Sequence, residues 1–300
     1  MQKKLIVIAG PTAIGKTTVA IALAKHFNTQ IVSVDSRQCY TQLNIGVARP
    51  TPQELAEAPH HLIASHSIHT PLDASQYATE ALKAINNIFL TNHVAIIVGG
   101  TGLYIKAILY GLDNIPAINQ AIALKVANAT IKNGNLWLIT QLNIYDPAYL
   151  HKYNEFHNQR YQKALSFFLT HQKSILSYQT NTQKQLPFNV FGYQLYMQRN
   201  QLYQQINNRV DAMLQNGLIA EVENLMQFKQ HKILETIGYK EVILYKNGQL
   251  NYTNMVEKIK QHTRNYAKRQ ITWFNNQTNF TPIIPNTPAI LQHFNTAQNK

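Results

Sequence analysis

The segment GPTAIGKT has the residue types and the spacing of a phosphate-binding loop (P-loop). It follows a short apolar run, Lys4–Ala9, and precedes a helical pattern that begins near Thr17. Glycines in that context let backbone N–H groups converge on one point, where the start of the helix adds partial positive charge. We expect Lys16 to neutralise phosphate oxygens and the Thr17 hydroxyl to ligate Mg²⁺. The predicted phosphate-binding residues are Gly10, Pro11, Thr12, Ala13, Ile14, Gly15, Lys16 and Thr17.

The loop does not identify which bond is broken. A nucleotide hydrolase or kinase usually supplies a second magnesium ligand, an Asp that ends a later apolar strand. Here the apolar run Val94–Val98 ends in Gly-Gly-Thr instead. Asp35 is the one acid at a predicted strand end near the loop. Three roles are open to it: a metal ligand through water, a general base, or a structural cap of the turn through Ser36.

The elements that must position these residues alternate between strand and helix. The β-branched run Gln30–Val34 and the buried run Val94–Val98 read as strands, with helical spacing between them from Tyr77 to Phe89. This order predicts an α/β fold in which helices cover both faces of a parallel sheet. Sites in such sheets lie at the carboxyl ends of the strands, where the loops discussed here are expected.

Composition along the chain predicts four parts. Residues 1–113 form the first part of the α/β core, and residues 114–186 form an inserted helical subdomain. Residues 187–275 complete the core with a strand, a long helix and a basic last helix. Residues 276–300 carry prolines, Asn and Thr and are expected to form a polar tail.

The charge balance favours a polyanionic partner. The 300 residues include 27 Lys and Arg against 14 Asp and Glu, which gives a net charge of +13. Such a charge attracts nucleic acid through counterion release, although compositional drift in an Asn- and Gln-rich protein is the alternative. Lys260, Arg264 and Lys268 lie on one face of the last helix, where they either contact RNA or form a solvated face.

Other classes of protein fit the sequence poorly. No apolar run reaches the roughly 18 residues that a membrane-spanning helix needs, and the single cysteine, Cys39, excludes an intramolecular disulfide. A glycine-rich loop stands where a signal peptide would be cleaved. We therefore expect a cytoplasmic protein.

Six ordered blocks of the sequence carry a resemblance to a known family. They are GPTAIGKT, VDSRQCYTQLNIGVARPT with APHHLI, VGGTGLYIKAILYGL, LYQQINNRVDAMLQNGLIAEVENL, TIGYKEVILYKNG and TRNYAKRQITWF. In order and spacing they resemble the tRNA dimethylallyltransferase (tRNA isopentenyltransferase) family over residues 4–113 and 190–275. The resemblance implies a P-loop NTPase-like core.

The resemblance also implies an activity and a set of site residues. The family transfers a dimethylallyl group from dimethylallyl diphosphate to N6 of the adenosine at tRNA position 37, next to the anticodon. Matching positions make Lys16, Asp35, Thr101 and Arg209 catalytic. They imply that Asp35 is the base and that Thr101 and Arg209 contact the diphosphate beside Lys16, Thr17 and Mg²⁺. The implied tRNA contacts are Asp35, Ser36, Arg37, Gln38, Thr101, Gln159, Arg160, Tyr161, Gln162, Lys163, Glu235, Thr236, Ile237, Gly238, Tyr239 and Lys240.

The insertion departs from the family pattern. In the stretch FHNQRYQKALSF, Arg160 matches the family, but Lys163 replaces an arginine and Ser166 a glutamate. Because lysine does not reproduce the two-pronged grip of arginine on phosphate, tRNA contacts from the insertion are less secure than the diphosphate site.

Two other functions remain as alternatives. A small-molecule kinase would need a metal-binding Asp on the third strand and a short arginine-bearing lid. A non-catalytic RNA-binding protein would not need the complete set of candidate catalytic residues. We expect a monomer that uses tRNA, dimethylallyl diphosphate and Mg²⁺.

Overall fold

The computed structural model describes residues 2–180 and 184–297. The chain forms two compact units. The first unit contains the residues up to Leu109 and those from Gln185 onwards, and the second unit contains Tyr110–Lys184. Residues 181–183 of the expected insertion and 298–300 of the expected tail lie outside the described residues.

The first unit is built on one parallel sheet. Its strands are β1 (Lys4–Ala9), β2 (Ile31–Val34), β3 (His60–His61), β4 (Val94–Gly99), β5 (Asn189–Leu195) and β6 (Thr281–Ile283). Their order across the sheet is β3-β2-β4-β1-β5-β6, and every neighbouring pair is parallel. The α/β fold expected from the strand–helix alternation is therefore confirmed, with β1 at its centre.

Helices connect and cover these strands. They are α1 (Lys16–Phe27), α2 (Pro52–Glu57), α3 (Ala74–Ile88), α4 (Gly102–Tyr110), α5 (Gln120–Tyr145), α6 (Pro147–Lys152), α7 (Asn158–His171), α8 (Arg199–Gln215), α9 (Leu218–Asn224), α10 (Tyr239–Lys246), α11 (Tyr252–Gln277) and α12 (Thr287–Ala297). None of them, over the residues described, is long and apolar enough to cross a membrane.

The core of the first unit explains why the sheet forms around β1. Leu5 to Ala9 are all buried, and β1 pairs with β4 on one side and with β5 on the other. A strand that is buried on both faces needs apolar residues at every position, which is what this run supplies. The sheet thereby fixes the start of the P-loop at the carboxyl end of β1.

The expected polar tail is wrong for the residues that the structure describes. The segment after residue 276 adds β6 to the sheet edge and then forms α12. Ile290 and Phe294 are fully buried, and the Phe294 ring packs edge-on against Phe27 and Phe191. Together with the partly buried Leu291, these side chains pack α12 against the core of the first unit.

The second unit is helical, as expected for the insertion. It contains α5 to α7 around its own core, which includes Leu138, Leu142, Leu165 and Phe167. α5 is interrupted at Gly134, whose φ of 79° is open to glycine at little cost. The unit therefore has a core that is separate from the sheet.

Candidate active site

The P-loop joins β1 to α1 in a conformation that suits an anion. Ala13 and Gly15 have φ values of 64° and 88°, in the left-handed region that favours glycine. Gly15 is the N-cap of α1, and no side chain in the described parts of the chain caps that end. The N–H groups of the first turn therefore point at the cavity beside the loop, where the helix dipole also favours negative charge.

Lys16 is half-buried rather than fully exposed. Its Nζ donates a 2.7 Å hydrogen bond to the Pro11 carbonyl, so the side chain folds back along the loop. Burial and, to a smaller extent, the charge of Arg209 lower the pKa of Lys16 to about 7, although the charge of Asp35 opposes them. A diphosphate beside the amine would favour the charged form and raise this pKa.

We expect diphosphate binding to take up a proton through Lys16. With a pKa of about 7, the amine is mostly neutral at pH 8 and becomes charged when the anion binds, so about one proton enters. The affinity for diphosphate should fall as the pH rises above 7. Titration calorimetry at pH 8 in buffers of different ionisation enthalpy measures this uptake.

Lys16→Met is the control for protons that the ligand itself exchanges. The wild-type protein should take up more protons than this variant at pH 8, and the difference should shrink towards pH 6. Equal uptake by the two proteins at pH 8 would contradict the lowered pKa of Lys16.

Asp35 follows β2 directly and forms the turn after it. Its Oδ1 accepts hydrogen bonds from the backbone N–H groups of Arg37 at 2.8 Å and Gln38 at 3.2 Å. The structural cap considered from the sequence is therefore present, but through Arg37 and Gln38. Both bonds use Oδ1, so Oδ2 is left for a substrate and the carboxylate can combine a structural with a chemical role.

Thr101 contacts the turn that carries Asp35. Its hydroxyl accepts a 3.1 Å hydrogen bond from the backbone N–H of Ser36, and its side chain also bonds the Tyr266 hydroxyl. Burial raises the pKa of Tyr266 to about 12. Thr101 therefore supports the turn that carries Asp35, and it does not line either of the two cavities described next.

The first cavity, of about 460 Å³, brings together three of the four predicted catalytic residues. Lys16 enters it from the P-loop, Asp35 from the end of β2 and Arg209 from α8. Arg209 Nη2 donates to the Ala48 carbonyl at 3.4 Å, and burial lowers its pKa while Asp35 and then Glu54 raise it. Of the predicted phosphate-binding residues, these line the cavity: Thr12, Ala13, Ile14, Gly15, Lys16 and Thr17.

A second cavity, of about 340 Å³, adjoins the first and is more apolar. The two share Asp35, Arg209 and Tyr266 among their walls. The residues found only in the second cavity include Ser36, Arg37, Val210, Met213, Glu235, Thr236, Ile237, Gly238 and Ile259. The two sequence segments predicted to contact tRNA, at 35–38 and 235–240, thus meet here.

Arg37 connects these two segments. Its Nε donates a 2.6 Å hydrogen bond to the Thr236 hydroxyl, and its Nη1 donates to the Ser36 carbonyl at 3.1 Å. Tyr239 belongs to the same predicted set, but its side chain is buried and its hydroxyl donates to Glu221. Tyr239 is therefore held inside the protein while its neighbours form the cavity wall.

The segment 159–163 lies on α7 of the second unit. The side chains of Gln159, Arg160 and Lys163 are exposed and Gln162 is half-buried. Tyr161 is buried, and its hydroxyl donates to the Tyr153 carbonyl at 2.7 Å. Tyr161 thus belongs to the core of that unit, and its side chain is not accessible to RNA.

The basic stripe of the last helix is partly neutralised within the chain. Lys260 forms a 2.7 Å salt bridge with Asp211, and Arg264 donates to Asn207 at 2.7 Å. Lys268 is exposed. Two of the three cationic side chains therefore contact α8. These contacts favour the second interpretation from the sequence, a solvated face that does not bind RNA.

Sequence reasoning missed Gln270, a buried residue of α11. Its side chain bonds both Thr12 of the P-loop and Gly100 at the end of β4. These partners lie 258 and 170 residues away along the chain. No local pattern signals such contacts, although the residue lies within the block TRNYAKRQITWF.

The site offers oxygen atoms to a cation but no dense cluster of ligands. Thr17, Ser33, Asp35 and Glu54 line the first cavity. Within the described ranges, no group of three or more His, Cys, Asp or Glu side chains is arranged to hold a metal ion. Hard oxygen donors in small number suit Mg²⁺, which usually keeps waters and substrate phosphates among its ligands.

Along most of its length the chain is similar to known proteins of one family. The family profile described as IPP transferase matches residues 38–277. The tRNA dimethylallyltransferase 1 of Bacteroides thetaiotaomicron is 36% identical over 270 residues, which cover 90% of this chain and 88% of that protein.

Solved structures resemble the chain along nearly its whole length. The tRNA delta(2)-isopentenylpyrophosphate transferase from Staphylococcus epidermidis has a TM-score of 0.71 and 34% identity, with 99% of each chain covered. Crystallographic snapshots of a eukaryotic dimethylallyltransferase acting on tRNA give a TM-score of 0.75 and 26% identity, covering 96% of this chain and 75% of that one. With the profile match and the relative at 36% identity, these similarities show that the chain belongs to the tRNA dimethylallyltransferase family.

Proposed function

We propose that this protein transfers the dimethylallyl group of dimethylallyl diphosphate to N6 of the adenosine at position 37 of tRNA. One observation carries the proposal: Asp35 and Arg209 line both adjoining cavities, of which one contains the P-loop and the other is more apolar. A carboxylate at such a junction can accept the proton that the base loses when the allylic group leaves its diphosphate. The kinase considered from the sequence would need a metal-binding Asp at the end of β4, where the chain has Gly99 and Gly100 instead.

The reaction is a substitution at carbon. The N6 lone pair forms a bond to C1 of the dimethylallyl group, and the electron pair of the C1–O bond leaves with the diphosphate. The proton lost from N6 passes to Asp35, for which Oδ2 is the acceptor because Oδ1 holds the turn. Positive charge grows on the allylic carbon while negative charge grows on the leaving group.

Three features of the first cavity would stabilise the leaving diphosphate. Lys16 and Arg209 supply positive charge, and the N–H groups at the start of α1 supply oriented dipoles. Donors that are already in place when charge develops act most strongly on the transition state. Thr101 acts in this scheme as the support of Asp35, through the Ser36 N–H, and not as a phosphate ligand.

Mg²⁺ is expected on the diphosphate, with the Thr17 hydroxyl as a protein ligand. When bound, the ion adds positive charge to that of Lys16 and Arg209. Thr17, at the start of α1, and Glu54, on α2, both line the first cavity. The small number of protein oxygens there fits a cation that comes mainly with its substrate.

The second cavity would receive the adenosine. Its apolar side chains, Val47, Val210, Met213, Ile237 and Ile259, offer surface to a flat base and to the prenyl methyl groups. A base that enters this cavity must leave the stack of the anticodon loop. The polar segments at 35–38 and 235–238 would then contact the neighbouring nucleotides. We propose that the protein acts on tRNA as a monomer in the cytoplasm.

The test is a labelled transfer assay. The protein is incubated with labelled dimethylallyl diphosphate, Mg²⁺ and unmodified tRNA, and a parallel reaction contains labelled ATP. Label from the prenyl donor should appear in the tRNA at adenosine 37 with release of diphosphate. Movement of the ATP γ-phosphate instead, with no prenylated tRNA, would support a kinase and contradict the proposal.

A further inference from the structure

Gln270 joins two loops of the first cavity. It lies on α11 with 6% of its surface exposed. Its Oε1 accepts a 2.9 Å hydrogen bond from the Thr12 N–H, and its Nε2 donates a 2.8 Å hydrogen bond to the Gly100 carbonyl. One side chain thereby connects the P-loop to the residue that follows β4.

The carboxamide fits this position because it has a donor and an acceptor. Thr12 offers an N–H and Gly100 offers a carbonyl, so neither a carboxylate nor an ammonium group satisfies both. The approach is also close: a Cβ added to Gly100 would lie 2.3 Å from Gln270 Nε2 and 3.2 Å from the Gly10 carbonyl. Gly100 is therefore the residue that admits the bridge.

The P-loop needs such a support. Ala13 and Gly15 hold positive φ values, and a conformation of that kind persists only where its surroundings enforce it. Among the residues that the structure describes, two side chains bond the loop backbone, Lys16 at Pro11 and Gln270 at Thr12. A bound diphosphate would engage Lys16, whereas both polar atoms of Gln270 are already committed to backbone groups.

We propose that Gln270 is a positioning residue of the diphosphate site, which holds the P-loop at Thr12 against Gly100 so that the anion meets a preformed cradle. The proposal rests on the proposed function, because it assigns dimethylallyl diphosphate to this cavity. Gln270 lines the first cavity, but both of its polar atoms bond backbone groups, so it acts on the anion through the loop. Its removal should therefore weaken binding of the donor more than it slows the transfer.

The first test replaces Gln270 by Met, which keeps the volume and removes both hydrogen bonds. We expect the KM for dimethylallyl diphosphate, and the Kd for inorganic diphosphate, to rise about tenfold or more, while kcat at saturating donor changes less than about threefold. Gln194→Met is the matched control. Gln194 is also buried and bonds α11, donating to Asn275 at 2.7 Å, but within the described ranges its side chain has no hydrogen bond to the P-loop.

The second test replaces Gln270 by Glu and serves also if the Met variant does not fold. An ionised Glu accepts from Thr12 but repels the Gly100 carbonyl, whereas a protonated Glu restores the donor. At pH 8 Gln270→Glu should therefore raise the Kd for inorganic diphosphate at least as much as Gln270→Met does. A wild-type Kd in Gln270→Glu would overturn the bridging role.

The outcomes separate this proposal from the proposed function. If wild-type protein transfers the prenyl group and Gln270→Met keeps the wild-type KM, the positioning role is wrong and the function stands. Equal rises in KM for Gln270→Met and Gln194→Met would also overturn it, because they would reflect general loosening of α11. Wild-type protein that transfers no prenyl group would instead overturn the proposed function.

Discussion

Replacement of Lys16 by Ala should reduce prenyl transfer by about 10²–10³-fold, because the leaving diphosphate loses a charged donor. The side chain bonds only the Pro11 carbonyl among the contacts that the structure gives it, and its burial works against the charged form. The variant should therefore fold as the wild-type protein does. Steady-state transfer to tRNA, with the thermal unfolding temperature measured in parallel, checks both statements.

Lys25→Ala is the control for charge on the same helix. Lys25 lies near the other end of α1 and forms a 2.7 Å salt bridge with Glu57 between two largely exposed side chains. Exposed pairs of this kind contribute little to stability, so transfer and folding should both stay near wild type. Turnover by Lys16→Ala at the level of Lys25→Ala would show that the P-loop does not hold the leaving group.

Replacement of Asp35 by Asn should slow the chemical step by about 10²–10⁴-fold and leave diphosphate binding almost unchanged. Asn keeps an oxygen for the N–H groups of Arg37 and Gln38, so the turn after β2 should persist. The amide that replaces Oδ2 takes up no proton from N6. Single-turnover transfer measures the chemistry, and calorimetry with inorganic diphosphate measures binding.

Asp73→Asn provides the matched control for a capping carboxylate. Asp73 Oδ1 accepts from Ser75 N–H and Gln76 N–H, each at 2.8 Å, but the residue lines neither cavity. This variant should transfer at the wild-type rate. If Asp35→Asn kept its single-turnover rate and lost only affinity for Mg²⁺ or diphosphate, Asp35 would be a metal-site residue and its role as base would be wrong.

Local patterns explain which parts of the fold could be predicted from sequence. The P-loop was predictable because its glycines, its strand and its helix lie within a short stretch. β1 and β4 were predictable because both are buried on two faces and show unbroken apolar runs. β6 has three residues, and α12 buries only Ile290 and Phe294. In a segment rich in polar residues, patterns this short do not indicate a strand or a helix.

The candidate site was predictable only in part, for a similar reason. The roles of Arg209 and Thr101 came from resemblance, since an arginine on a helix and a threonine before one have ordinary structural explanations. The structure gives Thr101 a hydrogen bond from Ser36, which no spacing rule would suggest. The buried state of Tyr161 and Tyr239, within segments otherwise suited to RNA, likewise depends on packing between distant elements.

The position of β1 between β4 and β5 has a consequence for biosynthesis. β5 begins at Asn189, after the whole helical unit, so one edge of β1 stays unpaired until that unit has been synthesised. Long-range pairing of this kind slows folding and leaves a strand edge open to other chains. The P-loop is completed later still, because the Thr12 N–H can bond Gln270 Oε1 only after Gln270 has left the ribosome. The nascent chain should therefore acquire a phosphate site near the end of translation, and the helical unit should fold before it.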